Sequence, residues 1–314
     1  MPRLPPPAKL PLAVRKNIRD DWESKKDDLE KQLSEVLGTA WTVDIDPAAI
    51  WPYHGDGWAK ESVGSCLAAY VEGAIFQLKY FKQYQGDAGV AEVNGICSAH
   101  VLQMDLDEHE KYSYCGAEVR DRKLVILFRE GCLGTNVDQA LEPSASLSRA
   151  LNEAEPAEGS TTKMSYLARQ GVREEYDPKI DEVRAKIAKL LQREDIKLDP
   201  GFEAVCARLE AESKRPGTDL RDDWQRSLGN IAHSYFDGAA YTLEYLKFGE
   251  DDMMREALNE ELAKGVVALR VVDELQNGSY CDCVVEDGTL YLQAKPTTWG
   301  VNTGQACEKL ADLL

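Results

Sequence analysis

Residues Tyr70 to Lys82 have the sequence YVEGAIFQLKYFK, and a similar sequence, YFDGAAYTLEYLK, occurs from Tyr235 to Lys247. The offset between Tyr70 and Tyr235 is 165 residues. In both copies apolar residues recur every three or four positions, which is typical of an amphipathic helix with one buried face. The sequence therefore predicts an internal tandem duplication, with a long helix at the centre of each copy.

Each copy of this helix carries a glycine, Gly73 or Gly238, in its middle. A mid-helix glycine costs roughly 1 kcal/mol relative to alanine, so its repetition indicates that a side chain is not tolerated there. Two interpretations stay open: a close crossing with another element, or room for a ligand beside the helix. Tyr70 and Tyr235 bury their rings in the first case, and their hydroxyls line a pocket in the second.

Three strand-like segments follow the long helix of the first copy, at residues 100–107, 112–119 and 124–129. In the second copy the corresponding segments are separated by Asn277-Gly278 and Asp287-Gly288, which are two-residue hairpin signals. The predicted fold class is therefore α+β. Each repeat is predicted to be an antiparallel meander of three or more strands packed against a long helix, with N- and C-terminal helices.

The start of the first copy predicts a helix over residues 13–37, which Gly38 ends, and then a strand over residues 40–45. Residues 49–51 are predicted as a short second strand. The second copy carries an insertion between residues 201 and 223 that contains a helix-like stretch. Insertions of this kind usually lie at the surface.

Composition divides the chain into four parts. Residues 1–11 are predicted to be a disordered proline-rich tail, 12–142 the first α+β repeat, 143–171 a polar linker and 172–314 the second α+β repeat. Two repeats of this size predict an intramolecular pseudo-dimer. In outline, the order of elements is similar to profilin-like and roadblock-like modules, and residues 290–314 are similar to a profilin C-terminus. That resemblance implies helices on both faces of an antiparallel sheet and carries over no binding motif.

The charge and the cysteines restrict the partners and the compartment. The formal net charge is −18, whereas binding to a nucleic acid backbone or to an anionic membrane surface needs basic patches. No apolar run approaches the roughly 20 residues needed to span a bilayer. Eight cysteines without a secretory signal indicate free thiols. We therefore expect a soluble, cytoplasmic protein that binds neither nucleic acid nor membrane.

Polar and aromatic residues that occur in both copies are the candidate site residues. Asn136 and Asn302, each with a glutamine three positions later, are predicted to be helix N-caps. No cofactor and no metal is predicted, because the one close pair of cysteines, Cys281 and Cys283, lacks a second pair. Tyr114 and Tyr280 are predicted to be half-buried sheet residues. The candidate ligand-binding residues are Tyr70, Gly73, Tyr114, Tyr235, Gly238 and Tyr280.

The predicted function is binding of an unknown protein partner or small molecule without catalysis. The alternative is an enzyme with its site between or within the repeats, using residues in which the copies differ. Such residues are His54, Cys97, His100, Cys206 and His233. A third interpretation, a structural or assembly protein, predicts exposed apolar strips on the long helices. The chain has no P-loop, GxGxxG, HExxH or GxSxG motif, so the sequence names no reaction.

Overall fold

The computed structural model describes residues 3–314, and these divide into two compact units. Unit 1 ends at Ser160 and unit 2 begins at Thr161. Each unit is α+β and contains one four-stranded mixed sheet, so the chain consists of two roughly similar halves. Within the described residues, no helix is long and apolar enough to cross a membrane.

Unit 1 begins with a long helix, in which a π-helical stretch, Ile18–Glu23, joins two α-helical segments. Gly38 ends this helix in the left-handed conformation, with φ of 69°, as the sequence predicts. In chain order the helices and strands are α1 (Leu12–Asn17), α2 (Ser24–Leu37), β1 (Thr42–Asp44), α3 (Pro47–Ile50), α4 (Ala59–Ile96), β2 (Val101–Leu106), β3 (Cys115–Arg120), β4 (Lys123–Phe128) and α5 (Ser148–Glu153).

Unit 2 repeats the order of strands and adds helices. In chain order its helices and strands are α6 (Tyr166–Glu175), α7 (Ile180–Leu191), β5 (Lys197–Asp199), α8 (Phe202–Ser213), α9 (Leu228–Tyr245), α10 (Asp252–Glu261), β6 (Val266–Val271), β7 (Cys281–Glu286) and β8 (Thr289–Ala294). The insertion predicted between residues 201 and 223 contains α8, and Val205, Cys206 and Leu209 of this helix are buried in the core of the unit.

The predicted antiparallel meander is wrong. The strand order is β1-β2-β4-β3 in unit 1 and β5-β6-β8-β7 in unit 2. Strand β2 pairs in parallel with both β1 and β4, and only the β3–β4 hairpin is antiparallel. The reason lies in β4, whose last five residues are all at most 2% exposed. A strand buried on both faces belongs at the centre of a sheet, so β3 is displaced to the edge.

One further local prediction is wrong. Residues 49–51 do not form a strand, because the Asp46 side chain accepts from the Ala48 amide and Pro47 occupies the first turn, which together start α3. Non-helical backbone at Gly86, where φ is 60°, divides α4 into a long segment and a shorter one that ends at Ile96.

The predicted tail and linker contain ordered contacts. Residues 1 and 2 of the tail lie outside the described residues, while residues 3–11 form no helix or strand. In the predicted linker, Pro143–Leu147 is π-helical, α5 packs against β3, and α6 already belongs to unit 2. Leu147, Ala150 and Leu151 are buried, so this part of the chain contributes to the core of unit 1.

Candidate ligand-binding groove of unit 1

The two helix glycines allow a close approach of a backbone turn. A Cβ atom on Gly73 would lie 2.8 Å from the Cα atom of Asp138, and one on Gly238 would lie 2.7 Å from the Cα atom of Gly304. Both neighbours belong to the 3-10 turn that follows the sheet, Val137–Gln139 or Thr303–Gln305. The turn occupies the space beside each glycine, in agreement with the first of the two interpretations of these residues.

Tyr70 and Tyr235 are fully buried on the same face of their helices. The Tyr70 hydroxyl accepts a hydrogen bond from the Gly134 amide at 3.1 Å. Burial raises the pKa of both tyrosines, and the Gly134 and Gly300 amides act in the opposite direction. The two hydroxyls therefore face the loops that lead into the 3-10 turns.

The predicted N-caps at Asn136 and Asn302 are wrong. Neither side chain makes a capping hydrogen bond, and both residues are left-handed, with φ of 50° and 52°. Asparagine tolerates this conformation better than most residues. Their carbonyl oxygens accept from the thiols of Cys115 and Cys281, at 3.1 and 3.2 Å. The repeated asparagines thus connect the 3-10 turn to the edge strand in each unit.

Tyr114 and Tyr280 lie immediately before the edge strands, and their side chains are 45% and 46% exposed. The prediction of half-buried strand residues is therefore wrong, because both positions precede the ladder. Tyr280 borders a cleft of about 230 Å³, together with Asp282, Cys283, Gln305 and Lys309.

A larger groove lies in unit 1, where the parallel strands β1, β2 and β4 end. Its volume is about 500 Å³. Carboxyl ends of parallel strands are the usual place for a ligand site in sheets of this kind. Polar walls come from Asp44, Asp46, Gln103 and Asp105, and the apolar walls come from Ala49, Ile50, Tyr53, Met104, Leu106 and Phe128. The rings of Tyr53 and Phe128 pack edge to face at 5.5 Å.

A segment of the chain itself, Arg3–Pro6, forms one wall of this groove. The Arg3 guanidinium donates to Asp105 Oδ2 at 2.7 Å and to Glu108 Oε1 at 2.5 Å. The Leu4 amide donates to the Tyr53 hydroxyl at 2.9 Å. The groove therefore already holds a cation and a peptide N–H from outside the sheet.

Asp105 and Glu108, the two carboxylates that bind Arg3, are held in their charged form. Burial alone would raise the pKa of Asp105, but hydrogen bonds from Arg120, the Leu106 amide and Arg3 outweigh burial and lower that pKa. The hydrogen bond from Arg3 also lowers the pKa of Glu108. Conversely, Glu108 and Asp105 raise the pKa of Arg3. At neutral pH the site is thus negative and matched to a guanidinium group.

The corresponding end of the unit 2 sheet has a mixed charge. It carries a cleft of about 140 Å³ that is lined by Arg208, Arg215 and Lys295 and by Glu212 and Asp273. Arg208 pairs with Asp273, and Arg215 pairs with Glu212. Arg270 occupies the position in β6 that Asp105 occupies in β2. The registers match, since Leu102 pairs with Leu124 and Val267 pairs with Leu290, and each of the two residues lies three positions further along its strand. Arg270 pairs with Glu286 at 2.8 Å and lies 4.0 Å from the centre of the Tyr291 ring.

The thiols proposed for an enzyme are not activated. Burial raises the pKa of Cys97 to about 12 and that of Cys206 to about 12, so both are protonated at neutral pH and are poor nucleophiles. His54 lies against the ring of Trp51 and His100 against that of Trp41. Among residues 3–314, no group of three or more histidine, cysteine or acidic side chains could hold a metal ion.

Sequence reasoning missed the groove, although its acidic residues lie where two strands end: Asp44 and Asp46 at the end of β1 and Asp105 at the end of β2. The predicted meander made β2 antiparallel to its neighbours, which would separate these residues. A parallel β1–β2 pair brings them to the same edge. Comparisons of the chain with protein-family models, curated proteins and solved structures find no match.

Proposed function

We propose that this chain is a non-catalytic binding protein, built from two copies of one α+β unit, and that the groove of unit 1 binds the cationic group of a protein partner or small ligand. The observation that carries the proposal is the position of the Arg3 guanidinium between Asp105 and Glu108. Two carboxylates that share one guanidinium form charge-assisted hydrogen bonds, which are stronger than neutral ones.

Several features support a common origin of the two units. The strand order is the same in both. The glycine that meets the 3-10 turn, and the thiol that donates to the asparagine carbonyl, occur at matched positions. The long helix and β2 recur in unit 2 at an offset of 165 residues, while β4 recurs at an offset of 166. The connection that leads from β6 to the edge strand β7 is therefore one residue longer than the connection from β2 to β3.

Calorimetric titration tests the binding proposal. The Arg3→Ala full chain is titrated with Nα-acetyl-arginine amide, and Nα-acetyl-norleucine amide is the uncharged control. Saturable binding of the arginine compound alone is expected, and Glu108→Gln in the same background weakens it. Because Glu108 is partly exposed, this second change is not expected to disturb folding. Equal heats for both compounds, or binding that is insensitive to Glu108→Gln, would contradict the proposal.

A second candidate function is assembly with a second copy of the chain. Phe76, Tyr80 and Tyr84 form an aromatic strip along α4, and Tyr241 and Tyr245 repeat it on α9; these side chains are 47–72% exposed. Exposed apolar patches commonly mark interaction surfaces. Beside the strips, Lys79 and Glu244 occupy matched positions with opposite charges, so the strip of unit 1 in one chain fits the strip of unit 2 in another.

Sedimentation velocity with exchanged charges tests this assembly. The wild-type chain is expected to dimerise, Lys79→Glu to weaken the dimer, and Lys79→Glu combined with Glu244→Lys to restore it. Glu244 also pairs with Lys186 at 2.8 Å, but an exposed pair of this kind is worth only about 0–1 kcal/mol. A wild-type chain that stays monomeric as its concentration rises would rule the assembly out.

A further inference from the structure

The Arg3–Pro6 segment contacts the groove at three chemically different points. Its guanidinium binds two carboxylates, its Leu4 amide donates to Tyr53, and Pro5 and Pro6 line the groove with Ala49 and Ile50. The Tyr53 ring is 8% exposed and packs against Phe128. Its hydroxyl is therefore held in place as an acceptor.

The order of residues in the segment matches these three points. Prolines have no amide hydrogen, so in the run Leu4–Pro7 the only N–H available to Tyr53 is that of Leu4. Consecutive prolines also keep the chain extended before binding, which reduces the entropy lost on docking. Aromatic-lined grooves bind proline-rich segments in this way. The pattern that fits the groove is arginine, any residue with an amide, and then two prolines.

The segment is held loosely enough to exchange. The Leu4 side chain is 43% exposed, and Arg3 is exposed at its ion pairs. Exposed ion pairs contribute little to stability. Residues 3–11 contain no helix or strand that would have to unfold when the segment leaves the groove. Its attachment to the groove thus depends on the same few contacts that a separate peptide can make.

We propose that the groove of unit 1 recognises an extended arginine-X-proline-proline segment of another protein, and that Arg3–Pro6 occupies the groove until such a segment displaces it. The inference rests on the proposed function, since it needs the same carboxylates, and it adds the peptide class of the ligand. A tethered segment competes at a high effective concentration. A substitution that weakens the binding of Arg3–Pro6 to the groove therefore increases the apparent affinity of the chain for a separate peptide.

Fluorescence anisotropy tests the inference with a labelled peptide, Arg-Leu-Pro-Pro-Pro-Ala-Lys-Leu, which copies residues 3–10. The peptide is titrated with the wild-type chain and with the Arg3→Ala chain. Arg3→Ala is expected to bind it about tenfold more tightly, since a segment that occupies the groove nine-tenths of the time lowers apparent affinity by that factor. Equal affinity of the two chains would contradict displacement of the segment.

Changes in the peptide test recognition without altering the protein. A peptide with proline in place of leucine lacks the amide for Tyr53, and a peptide with glycines in place of the first two prolines lacks the fixed extended conformation. Each is expected to bind the Arg3→Ala chain several-fold more weakly than the parent. Tyr53→Phe should reproduce the first effect and should remove the difference between the parent and the proline-substituted peptide.

The outcomes separate this inference from the proposed function. If the Arg3→Ala chain binds Nα-acetyl-arginine amide and all three peptides equally well, the cation site stands and the proline-segment inference falls. If it binds neither the arginine compound nor any peptide, both fall. If only the parent peptide binds tightly and Glu108→Gln weakens it, both are supported.

Discussion

The two units share their framework and differ on the row of side chains that crosses the sheet beside the groove. In unit 1 this row consists of Asp105, Leu127 and Gly116. In unit 2 it consists of Arg270, Gln293 and Asp282. In unit 1, Asp105 pairs with Arg120 of β3 and also takes Arg3 from outside the sheet. In unit 2 the matched position holds a cation, Arg270, in place of the carboxylate.

The row of unit 2 forms a closed network. With its amide oriented to satisfy both neighbours, the Gln293 side chain donates to Asp282 Oδ1 at 2.9 Å and accepts from Arg270 Nε at 2.7 Å. Asp282 also accepts from the amides of Gln276 and Asn277 at 2.7 and 2.8 Å. In unit 1 the Tyr112 ring occupies the space that a Cβ at position 116 would need. The same framework therefore supports an acidic groove in unit 1 and a fully hydrogen-bonded polar network in unit 2.

The largest expected effect is that of Asp282→Ala. The substitution leaves the amides of Gln276 and Asn277 and the Gln293 side chain without their acceptor, so the free energy of unfolding should fall by about 3 kcal/mol. Urea unfolding measures the change, and Glu308→Ala, at an exposed position, is the control. A loss no larger than that of the control would show that the network does not stabilise unit 2.

Next in size is the effect of Gly73→Ala and of Gly238→Ala. Each added Cβ meets the backbone of the 3-10 turn below 3.0 Å, so each change should cost about 2 kcal/mol despite the higher helix propensity of alanine. Gly304→Ala is the matched control, because its Cβ meets nothing within 4 Å. If the alanine chains are as stable as wild type in thermal unfolding, the close approach is not required.

The sequence predicts the framework better than the site. Helical periodicity around Tyr70 and Tyr235 located the long helices. The repeated glycines, Gly73 and Gly238, left a close contact or a ligand site open, and the structure has each of them against the 3-10 turn of its own unit. The strand pairing was not predictable from the same signals, because Asn277-Gly278 resembles a hairpin turn although β6 and β7 do not pair. The groove depends on that pairing and on Arg3, in a segment predicted to be disordered, so its residues could not be collected from the sequence.

Tyr70→Phe is expected to have a smaller effect. It removes the acceptor of the Gly134 amide, which should lower the free energy of unfolding by about 1 kcal/mol. Binding of the arginine compound to the Arg3→Ala chain should not change when Tyr70→Phe is added, because Tyr70 is buried in the core of unit 1 and does not line the groove. Thermal unfolding and calorimetry measure the two quantities, and a loss of binding at unchanged stability would make Tyr70 a site residue.

The smallest expected effect is the acid dependence of the Arg3 contact. The pKa of Asp105 lies below its ordinary 3.8 and that of Glu108 below its ordinary 4.5. A carboxylate whose pKa is lowered in the folded protein contributes its full stabilisation at pH values above its ordinary pKa. This stabilisation is lost as the pH falls through the lowered pKa of the folded state. The contact should therefore be complete above pH 4.5 and weaken below pH 3.8.

The Leu4 amide resonance follows this acid transition, since Leu4 binds Tyr53 only while the segment is in the groove. The Arg3→Ala chain is the control and should give a Leu4 resonance that already resembles the released form at neutral pH. A Leu4 resonance that moves only above pH 5 would assign the transition to other groups, because both carboxyl pKa values lie below that range.

The most direct test of the difference between the units is a nuclear magnetic resonance titration. The isotope-labelled Arg3→Ala chain is titrated with the peptide that copies residues 3–10. We expect the amide resonances around Tyr53, Asp105 and Glu108 to shift saturably, while those around Arg270 and Gln293 stay unchanged. Saturable shifts around Arg270 and Gln293, or none around Asp105, would contradict the proposal that a cationic segment binds to unit 1 and not to unit 2.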